Sequence, residues 1–189
     1  MVKLVLASES PRRTGLLRQI GLVFDMVPSG VDEQEVQCAN PKSYVKKLAK
    51  LKSRAVAKKM DEGIIIGADT VVCVGKKIFG KPKDKEDAVR MLKELDGKVH
   101  EVISGLCIIN KYSGEVVTKA VTTKVKFRTL NDELINWYVG TGEPLDKAGG
   151  YGIQGKGAIL VEWIKGDYFN VVGLPLATLS MVLEKMGAL

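Results

Sequence analysis

The side chains that could take part in catalysis fall in a few separate segments. The first is LASESPRR at 6–13, in which Ser8, Ser10, Arg12 and Arg13 follow a short apolar run. Hydroxyl groups, free backbone N–H groups at a helix N-terminus and guanidinium groups are together typical of an anion-binding site. Arginines in a first helical turn oppose the helix dipole, which favours this interpretation over ordinary Ser-Pro capping with surface charge.

Three further segments carry candidate residues. Asp69 directly follows the apolar run IIIGA, at the end of a predicted core strand where α/β sheets commonly place ligands, although aspartate also caps turns. Lys81 lies in GKP, a loop that proline stiffens. Residues 146–157, DKAGGYGIQGKG, have five glycines in twelve positions, which allows close backbone approach to a ligand. A surface lysine and a flexible loop are the alternative interpretations of the last two segments.

The positive charge of the protein is concentrated in residues 41–60. This segment has eight basic residues and no acidic one, and removing eight from the 29 basic residues leaves 21 against 22 acidic ones. Asn40 as N-cap and Pro41 at the first helical position predict a helix here. At about 100° per residue, Lys52 falls near the middle of its apolar stripe. Such a lysine either meets an anion, because an unpaired buried ammonium is costly, or extends its stem to the surface.

Composition excludes several classes of protein. With 189 residues, 46% hydrophobic and 27% charged, the chain is not disordered, and we expect one domain over residues 1–189. No apolar run approaches the roughly 18 residues of a membrane helix. The first apolar run is too short for a signal peptide, so we expect a cytoplasmic protein. Three scattered cysteines and one histidine, His100, predict neither a zinc site nor a disulfide framework.

Strand-like and helix-like segments alternate along the chain, which predicts an α/β fold. Strands are predicted at 3–7, 22–28, 63–74, 77–79, 99–109, 115–128 and 158–164. Helices are predicted to begin near Pro11, Pro41, Lys85, Asp132 and Pro175. The two long extended runs between residues 99 and 128 indicate an antiparallel part in a mixed sheet.

Taken together, the candidate residues favour hydrolysis of a polyphosphate. Four of the candidate residues are cations: Arg12, Arg13, Lys52 and Lys81. Cations around one or two carboxylates, here Asp69 and Glu33, suit a polyphosphate with a divalent metal. No nucleophile–base pair is evident, which favours an activated water over covalent catalysis.

Over essentially its whole length the sequence resembles the Maf-like nucleoside triphosphate pyrophosphatases. Five motifs carry the resemblance in order: LASESPRR (6–13), GADTVV (67–72), GKP (80–82), EPLDKAGGYGIQGKGA (143–158) and VVGLPL (171–176). The resemblance implies a Maf/ITPase-like α/β fold, in which helices flank a mixed twisted sheet and two lobes surround a central cleft. It also implies a homodimer and cleavage of a nucleoside triphosphate to the monophosphate and pyrophosphate with Mg²⁺ or Mn²⁺.

The matching motifs also imply roles for individual residues. Asp69 matches the proton acceptor for the attacking water, and Glu33, together with Asp69, matches the residues that place the metal. The positions expected to hold phosphates are Ser8, Ser10, Arg13, Lys52 and Lys81, the two lysines also being expected to act in catalysis.

Three positions separate the branches of this family by base preference. The branch acting on dTTP and UTP has Arg, Thr and Gln, as here at Arg12, Thr70 and Gln154. The branch acting on 7-methyl-GTP has Trp, Gln and an acid. A neutral Gln suits a uracil or thymine edge. The resemblance therefore implies hydrolysis of dTTP, UTP and modified pyrimidine nucleotides. The alternatives are another base preference, such as 7-methyl-GTP, and a non-catalytic nucleic-acid-binding regulator that uses residues 41–60.

Overall fold

The computed structural model describes residues 2–33, 36, 38 and 40–189 of the chain. The elements, in chain order, are β1 (Leu4–Leu6), α1 (Pro11–Gln19), β2 (Asp25–Met26), α2 (Pro41–Ala57), β3 (Ile64–Val74), β4 (Lys77–Phe79), α3 (Lys85–Leu95), β5 (Val99–Asn110), β6 (Val116–Phe127), α4 (Asp132–Gly140), three 3₁₀ turns (Glu143–Asp146, Ala148–Gly150, Gly155–Leu160), β7 (Val161–Lys165), α5 (Tyr168–Val172) and α6 (Leu176–Lys185). None of the helices in these ranges is long and apolar enough to cross a membrane.

The described strands form one mixed sheet of seven strands. Its order is β2-β1-β3-β5-β6-β7, and β4 pairs with β3. Strand β1 is parallel to both β2 and β3, whereas β4 is antiparallel to β3 and β7 is antiparallel to β6. The neighbours β5 and β6 are joined by residues 111–115, a connection too short for a parallel crossover. The predicted mixed α/β fold, a sheet with helices, is confirmed.

The chain divides into two compact units. The first comprises Met1–Thr70, Ser104–Val121 and Gly173–Leu189, and the second comprises Val71–Ile103 and Thr122–Val172. Strands β3, β5 and β6 each contribute residues to both units.

In the first unit, helix α2 packs closely against the sheet. A buried cluster joins Val5 on β1, Ala49 and Val56 on α2, Ile65 on β3 and Cys107 on β5. Burial of this apolar surface holds α2 in place, because each buried aliphatic side chain contributes about 1.5–3 kcal/mol.

Two glycines allow this close packing. A Cβ at Gly67 would lie 2.2 Å from Ser53 Oγ, and a Cβ at Gly105 would lie 2.2 Å from the Val45 carbonyl oxygen. Ser53 Oγ also donates a 2.7 Å hydrogen bond to the Cys107 carbonyl. The sheet therefore meets the α2 backbone directly, which fixes the helix at the level of Lys52.

The second unit has a core with an aromatic cluster. The rings of His100, Phe127 and Tyr151 contact one another edge to face, with centroids 4.6–5.4 Å apart. His100 is 1% exposed, and its Nε2 lies 2.7 Å from Tyr151 Oη. Burial lowers the pKa of His100 to about 4. The neutral, packed imidazole is a structural residue of this core.

Three helices have the N-caps that the sequence predicts. Asn40 Oδ1 accepts hydrogen bonds from the N–H groups of Lys42 and Ser43, and Asp84 and Asn131 cap α3 and α4 in the same way. These side chains satisfy N–H groups that have no partner inside the helix.

Three element predictions differ from the structure. The strand expected at 22–28 is reduced to Asp25–Met26, because β1 is only three residues long and offers β2 two partners. The strand expected at 158–164 begins at Val161, after the 3₁₀ turn Gly155–Leu160. Helix α5 was not expected; its start is marked by Asp167, whose Oδ1 accepts from the N–H groups of Phe169 and Asn170.

Candidate active site

Strand β3 carries Asp69 past the end of its parallel neighbour. Strand β1 pairs with β3 only as far as Leu6 opposite Ile66, and the Ala7 N–H then donates to the Ile66 carbonyl. The chain turns into the loop before α1 at this level. Strand β3 itself continues to Val74, so Asp69 lies within the strand and not at its end. Because β1 ends early, the loop 7–10 lies close to Asp69 and Thr70 on β3.

Lys52 joins two carboxylates. Its Nζ lies 2.7 Å from Asp69 Oδ1 and 2.6 Å from Glu33 Oε1, and the residue is only 7% exposed. Of the two interpretations that the helical wheel leaves open, the structure has the one in which an inward lysine meets anions. Because Gly67 and Gly105 let α2 lie on the sheet, the lysine stem spans the short distance to β3.

Burial governs the electrostatics of Asp69. Desolvation raises the pKa of this carboxyl, and the nearby charges of Lys52 and Arg13 lower it without cancelling that effect. The raised pKa makes the carboxylate a better proton acceptor than an exposed aspartate, because basicity rises with pKa.

The loop after β1 is organised by Arg13. Its Nη1 donates to Ser8 Oγ at 3.3 Å, its Nε donates to the Gly173 carbonyl at 2.9 Å, and its Nη2 donates to Thr70 Oγ1 at 3.4 Å. Ser8 is buried and accepts a further hydrogen bond from the Ser10 N–H at 3.1 Å. One guanidinium therefore ties together the start of α1, strand β3 and the segment before α6.

Ser10 and Arg12 complete the predicted anion-binding segment. Ser10 stands at the N-cap position of α1, but its side chain makes no capping hydrogen bond. Ser10 is half-buried at the helix N-terminus, and so is Arg12 at the second helical position. A helix N-terminus with a hydroxyl and a guanidinium beside it suits a phosphate group.

Two residues in this network were not predicted from the sequence. Ser104 Oγ lies 2.7 Å from Thr70 Oγ1, and the Gly173 carbonyl accepts from both Thr70 Oγ1 and Arg13. Gly173 has a φ of +129°, a conformation that favours glycine. The available signals were a lone hydroxyl in an apolar strand for Ser104 and the glycine of VVGLPL for Gly173.

Tyr44 is a third residue whose proximity the sequence did not indicate. It is the single aromatic residue of α2, in the first turn of the helix. Burial, followed by the negative charges of Asp69 and Glu33, raises the pKa of its phenol. The phenol of Tyr44 therefore stays protonated to a higher pH than an exposed tyrosine.

Lys81 and Gln154 belong to the second unit, where both side chains are exposed. Their loops are joined there, because the Gly149 N–H donates to the Gly80 carbonyl at 2.9 Å. The GKP loop and the glycine-rich segment are thus one connected structure within that unit. The other predicted site residues belong to the first unit.

The donor set fits a divalent cation of the magnesium type. The described ranges contain no group of three or more His, Cys, Asp or Glu side chains placed to hold a metal. However, the Asp69 and Glu33 carboxylates both contact one cationic atom, Lys52 Nζ. Mg²⁺ is commonly bound by one or two carboxylates together with waters and substrate phosphates, so Asp69 and Glu33 could hold it.

A family profile and individual relatives match nearly the whole chain. The family profile described as "Maf-like protein" matches residues 3–186. A dTTP/UTP pyrophosphatase of Acetivibrio thermocellus is 52% identical over 194 residues, covering 99% of this chain and 96% of the relative. A dTTP/UTP pyrophosphatase of Pyrococcus furiosus is 50% identical over 186 residues, covering 97% and 95%.

Among solved structures, the Ham1 protein of Staphylococcus aureus has a similar fold. The TM-score is 0.50 at 16% identity, with 84% of this chain and 79% of that chain covered. At this identity the likeness concerns the fold alone. The family profile and the relatives above carry the assignment, and the chain belongs to the Maf-like protein family.

Proposed function

We propose that the protein is a nucleoside triphosphate pyrophosphatase that hydrolyses dTTP and UTP to the monophosphate and pyrophosphate. The observation that carries the proposal is the buried Asp69 carboxylate, 2.7 Å from Lys52 Nζ, in the unit that also holds the Ser8–Arg13 anion loop. The relatives at about half sequence identity that carry the name dTTP/UTP pyrophosphatase support the same reaction.

In the proposed reaction, Asp69 accepts a proton from the water that attacks the α-phosphorus. The new bond joins the water oxygen to phosphorus, and the bond between the α-phosphorus and its bridging oxygen breaks, so that pyrophosphate leaves with the bond electrons. The desolvated site favours this role, because burial raises the pKa of Asp69.

Positive charge then has to stabilise the phosphates as negative charge moves to the leaving group. Lys52, Lys81 and Arg13 are proposed for this task, with the Ser8 and Ser10 hydroxyl groups as further donors. Arg13 is already oriented by the Gly173 carbonyl and Thr70, so its guanidinium needs little rearrangement. Preorganised donors of this kind are effective because they cost little reorganisation at the moment of reaction.

A divalent cation, Mg²⁺ or Mn²⁺, is part of the proposal. Glu33 and Asp69 would hold it, and it would supply further positive charge to the phosphate oxygens. Base preference is assigned to Arg12, Thr70 and Gln154, in which the neutral Gln154 amide both donates and accepts hydrogen bonds, as the uracil or thymine edge requires.

A panel of nucleoside triphosphates with Mg²⁺ or Mn²⁺, assayed separately for pyrophosphate and orthophosphate, tests the function. The expected result is pyrophosphate release mainly from dTTP and UTP. Orthophosphate alone would show that the wrong bond was assigned, and hydrolysis mainly of 7-methyl-GTP or purine nucleotides would overturn the base preference. No turnover with any nucleotide or metal would remove the enzyme assignment.

The family resemblance also supports a cytoplasmic homodimer. Size-exclusion chromatography with light scattering measures the assembly, for which the expected mass is twice the 20.6 kDa of one chain. A monomeric mass at assay concentrations would contradict the dimer.

A further inference from the structure

In the second unit, the glycine-rich segment is bonded to a pair of side chains from outside it. Tyr138 on α4 is fully buried, and its Oη donates a 3.0 Å hydrogen bond to Glu143 Oε1 in the first 3₁₀ turn. Burial raises the pKa of the Tyr138 phenol above its ordinary value, so that it keeps its proton and remains a donor to the carboxylate.

This pair binds the backbone on both sides of Gln154. Residues 152–157 form what is here called the Gln154 loop. Before Gln154, the Gly152 N–H donates to Tyr138 Oη at 3.1 Å. After it, the Lys156 and Gly157 N–H groups donate to Glu143 Oε2 and Oε1 at 3.0 and 3.1 Å. Three backbone amides of a six-residue loop thus converge on two side chains.

The glycines of the loop make these contacts sterically possible. A Cβ at Gly155 would lie 2.9 Å from Glu143 Oε2, and a Cβ at Gly157 would lie 2.6 Å from Tyr138 Oη. Gly155 also has a φ of +68°, a backbone conformation that residues other than glycine rarely adopt. The glycine spacing therefore serves close approach to Tyr138 and Glu143, and the loop is held in place where its composition indicated flexibility.

Gln154 is exposed and stands directly before the 3₁₀ turn Gly155–Leu160. The direction of its amide consequently depends on the backbone to either side of it. Hydrogen bonds from backbone N–H groups to a carboxylate are charge-assisted and stronger than neutral ones. Glu143 is therefore the residue best placed to fix that backbone.

We propose that Glu143 and Tyr138 are positioning residues for substrate selectivity, which hold the Gln154 loop in one conformation and so set how the Gln154 amide meets the base. The proposal rests on the pyrophosphatase function proposed above, in which Gln154 contacts the base. A side chain that distinguishes bases by hydrogen bonding becomes less selective when the backbone that supports it is mobile. The side chain can then adopt other orientations, some of which bond to competing bases.

The test compares Glu143→Gln and Tyr138→Phe with a matched control, Glu133→Gln. In Glu143→Gln one carboxylate oxygen becomes an NH₂ group, a donor that cannot accept from a backbone N–H. Tyr138→Phe keeps the ring but loses both hydrogen bonds of the hydroxyl. Glu133 is exposed on the same helix as Tyr138, and its substitution removes the same charge. Melting temperatures identify any variant that does not fold.

The main readout is the ratio of kcat/KM for UTP to that for CTP, which has the same ring size but an amino donor in place of the O4 acceptor. Loss of about two hydrogen bonds predicts a fall in this ratio of about tenfold or more in both clamp variants, Glu143→Gln and Tyr138→Phe, carried by a higher KM for UTP. The Glu133→Gln ratio is expected to be unchanged. An unchanged ratio in folded clamp variants would overturn the proposal.

A double-mutant cycle with Gln154→Ala separates positioning from a general structural effect. If Glu143 acts through Gln154, the second substitution adds little to the first, so the two losses of selectivity are far from additive. Additive losses would mean that Glu143 acts elsewhere, and the proposal would fall.

Hydrogen exchange tests, without any substrate, whether the hydrogen bonds of Glu143 and Tyr138 hold the Gln154 loop; these bonds are here called the clamp. Exchange at the Lys156 and Gly157 amides is expected to be about tenfold faster or more in Glu143→Gln than in Glu133→Gln, because local opening costs less free energy once the acceptors are lost. Equal exchange rates in Glu143→Gln and Glu133→Gln would show that Glu143 does not hold the Gln154 loop, even if the enzyme is active. Conversely, faster exchange in a protein that hydrolyses no nucleotide would retain the clamp and reject the proposed function.

Discussion

Asp69 is the residue on which the proposed chemistry depends most directly. In Asp69→Asn the amide retains the shape of the side chain and an oxygen that can accept from Lys52, which lies 2.7 Å from the present carboxylate. The amide cannot accept a proton from water. We expect kcat to fall by about 10²–10⁴-fold, the usual contribution of a general base, with nucleotide binding retained. Steady-state kinetics and calorimetry with a non-hydrolysable analogue measure the two effects.

The matched control is Asp61→Asn, an exposed aspartate of the same unit in the segment after α2. It is expected to leave turnover unchanged. If Asp69→Asn retained wild-type kcat, Asp69 would have no part in proton transfer.

Gln154 is the residue that should decide between a neutral pyrimidine and a positively charged base. Glu at this position can accept but not donate, so it repels the carbonyl oxygens of uracil and thymine while attracting a cationic base. Gln154→Glu is expected to lower kcat/KM for UTP and dTTP by about 10–100-fold, the effect of leaving a polar contact unpaired or repulsive. Lys156→Gln, an exposed change in the same loop, serves as the control. Equal rates of the wild type and Gln154→Glu on UTP would contradict the specificity assignment.

Part of the first-unit cluster could be predicted from single residues, because helix starts and the wheel position of Lys52 are local signals. The end of a core strand, which the sequence predicted for Asp69, is not where the residue lies, since β3 continues to Val74. Asp69, Lys52 and Glu33 do meet at one point, as do Arg13, Ser8 and Thr70. The partners Ser104 and Gly173 could not be predicted in the same way. They lie 34 and 103 residues from Thr70, and only the folded sheet brings them to its hydroxyl.

His100 makes a prediction about stability and pH. Its folded pKa is about 4, below the ordinary 6.5, because burial disfavours the imidazolium. The unfolded chain therefore binds a proton that the folded chain does not between these values. Stability should fall as pH drops from about 6.5 to about 4, by about 3 kcal/mol from this residue.

His100→Gln should lose that component, since Gln stays neutral and can still bond Tyr151. Urea unfolding of both proteins at several pH values gives the difference, in which the titration of shared carboxylates cancels. The same pH dependence in both proteins would show that His100 is not responsible.

At the scale of elements, the contact between α2 and β3 positions Lys52 beside Asp69. A Cβ at Gly67 would lie 2.2 Å from Ser53 Oγ and 2.6 Å from the Ala49 carbonyl oxygen. Gly67→Ala must therefore push α2 from the sheet. We expect a loss of about 1–3 kcal/mol in unfolding free energy, typical of overpacking, together with reduced kcat as Lys52 moves from Asp69.

Gly15→Ala is the matched control, because a Cβ there meets nothing within 4 Å and Gly15 lies within α1. Alanine in a helix interior should stabilise by about 0.5–1 kcal/mol. Denaturant unfolding of both variants measures the contrast. If Gly67→Ala left the unfolding free energy and kcat unchanged, the position of α2 would not depend on this contact.

The element predictions succeed where the signals are local and dense. Cap residues, Pro at first helical positions and the apolar run Ile64–Ile66 correctly predicted α2, α3, α4 and β3. The errors arise where tertiary pairing decides the outcome. Strand β2 is short because its partner is short. Residues 158–160, which were expected to begin a strand, complete the 3₁₀ turn Gly155–Leu160, whose Gly155 and Gly157 lie against Glu143 and Tyr138.

For the whole molecule, the distribution of charge is the dominant feature. The net charge of +7 derives from residues 41–60, and α2 presents a row of exposed cations that includes Lys42, Lys46 and Lys47. The inward side of the same helix holds Lys52 against Asp69. We therefore expect the positive surface of α2 to attract a triphosphate toward the proposed site and to raise its local concentration there.

The triple variant Lys42→Gln, Lys46→Gln and Lys47→Gln tests this effect. At low salt we expect kcat/KM for UTP to fall by about three- to tenfold with kcat unchanged, and the salt dependence of kcat/KM to become shallower, because ions screen the same attraction. The control variant Lys111→Gln, Lys119→Gln and Lys185→Gln removes the same charge from exposed positions of the same unit and should change little.

The same pair of variants separates the enzyme from a nucleic-acid-binding regulator. If α2 served chiefly to hold nucleic acid, wild-type affinity for single- or double-stranded DNA or RNA at about 150 mM salt would be high and would fall steeply with salt. The triple variant would then lose that binding while UTP hydrolysis kept its salt dependence. We expect the reverse, weak nucleic-acid binding in both proteins and an altered salt dependence of hydrolysis in the α2 variant alone, because the cations lie on the helix that supplies Lys52 to the site.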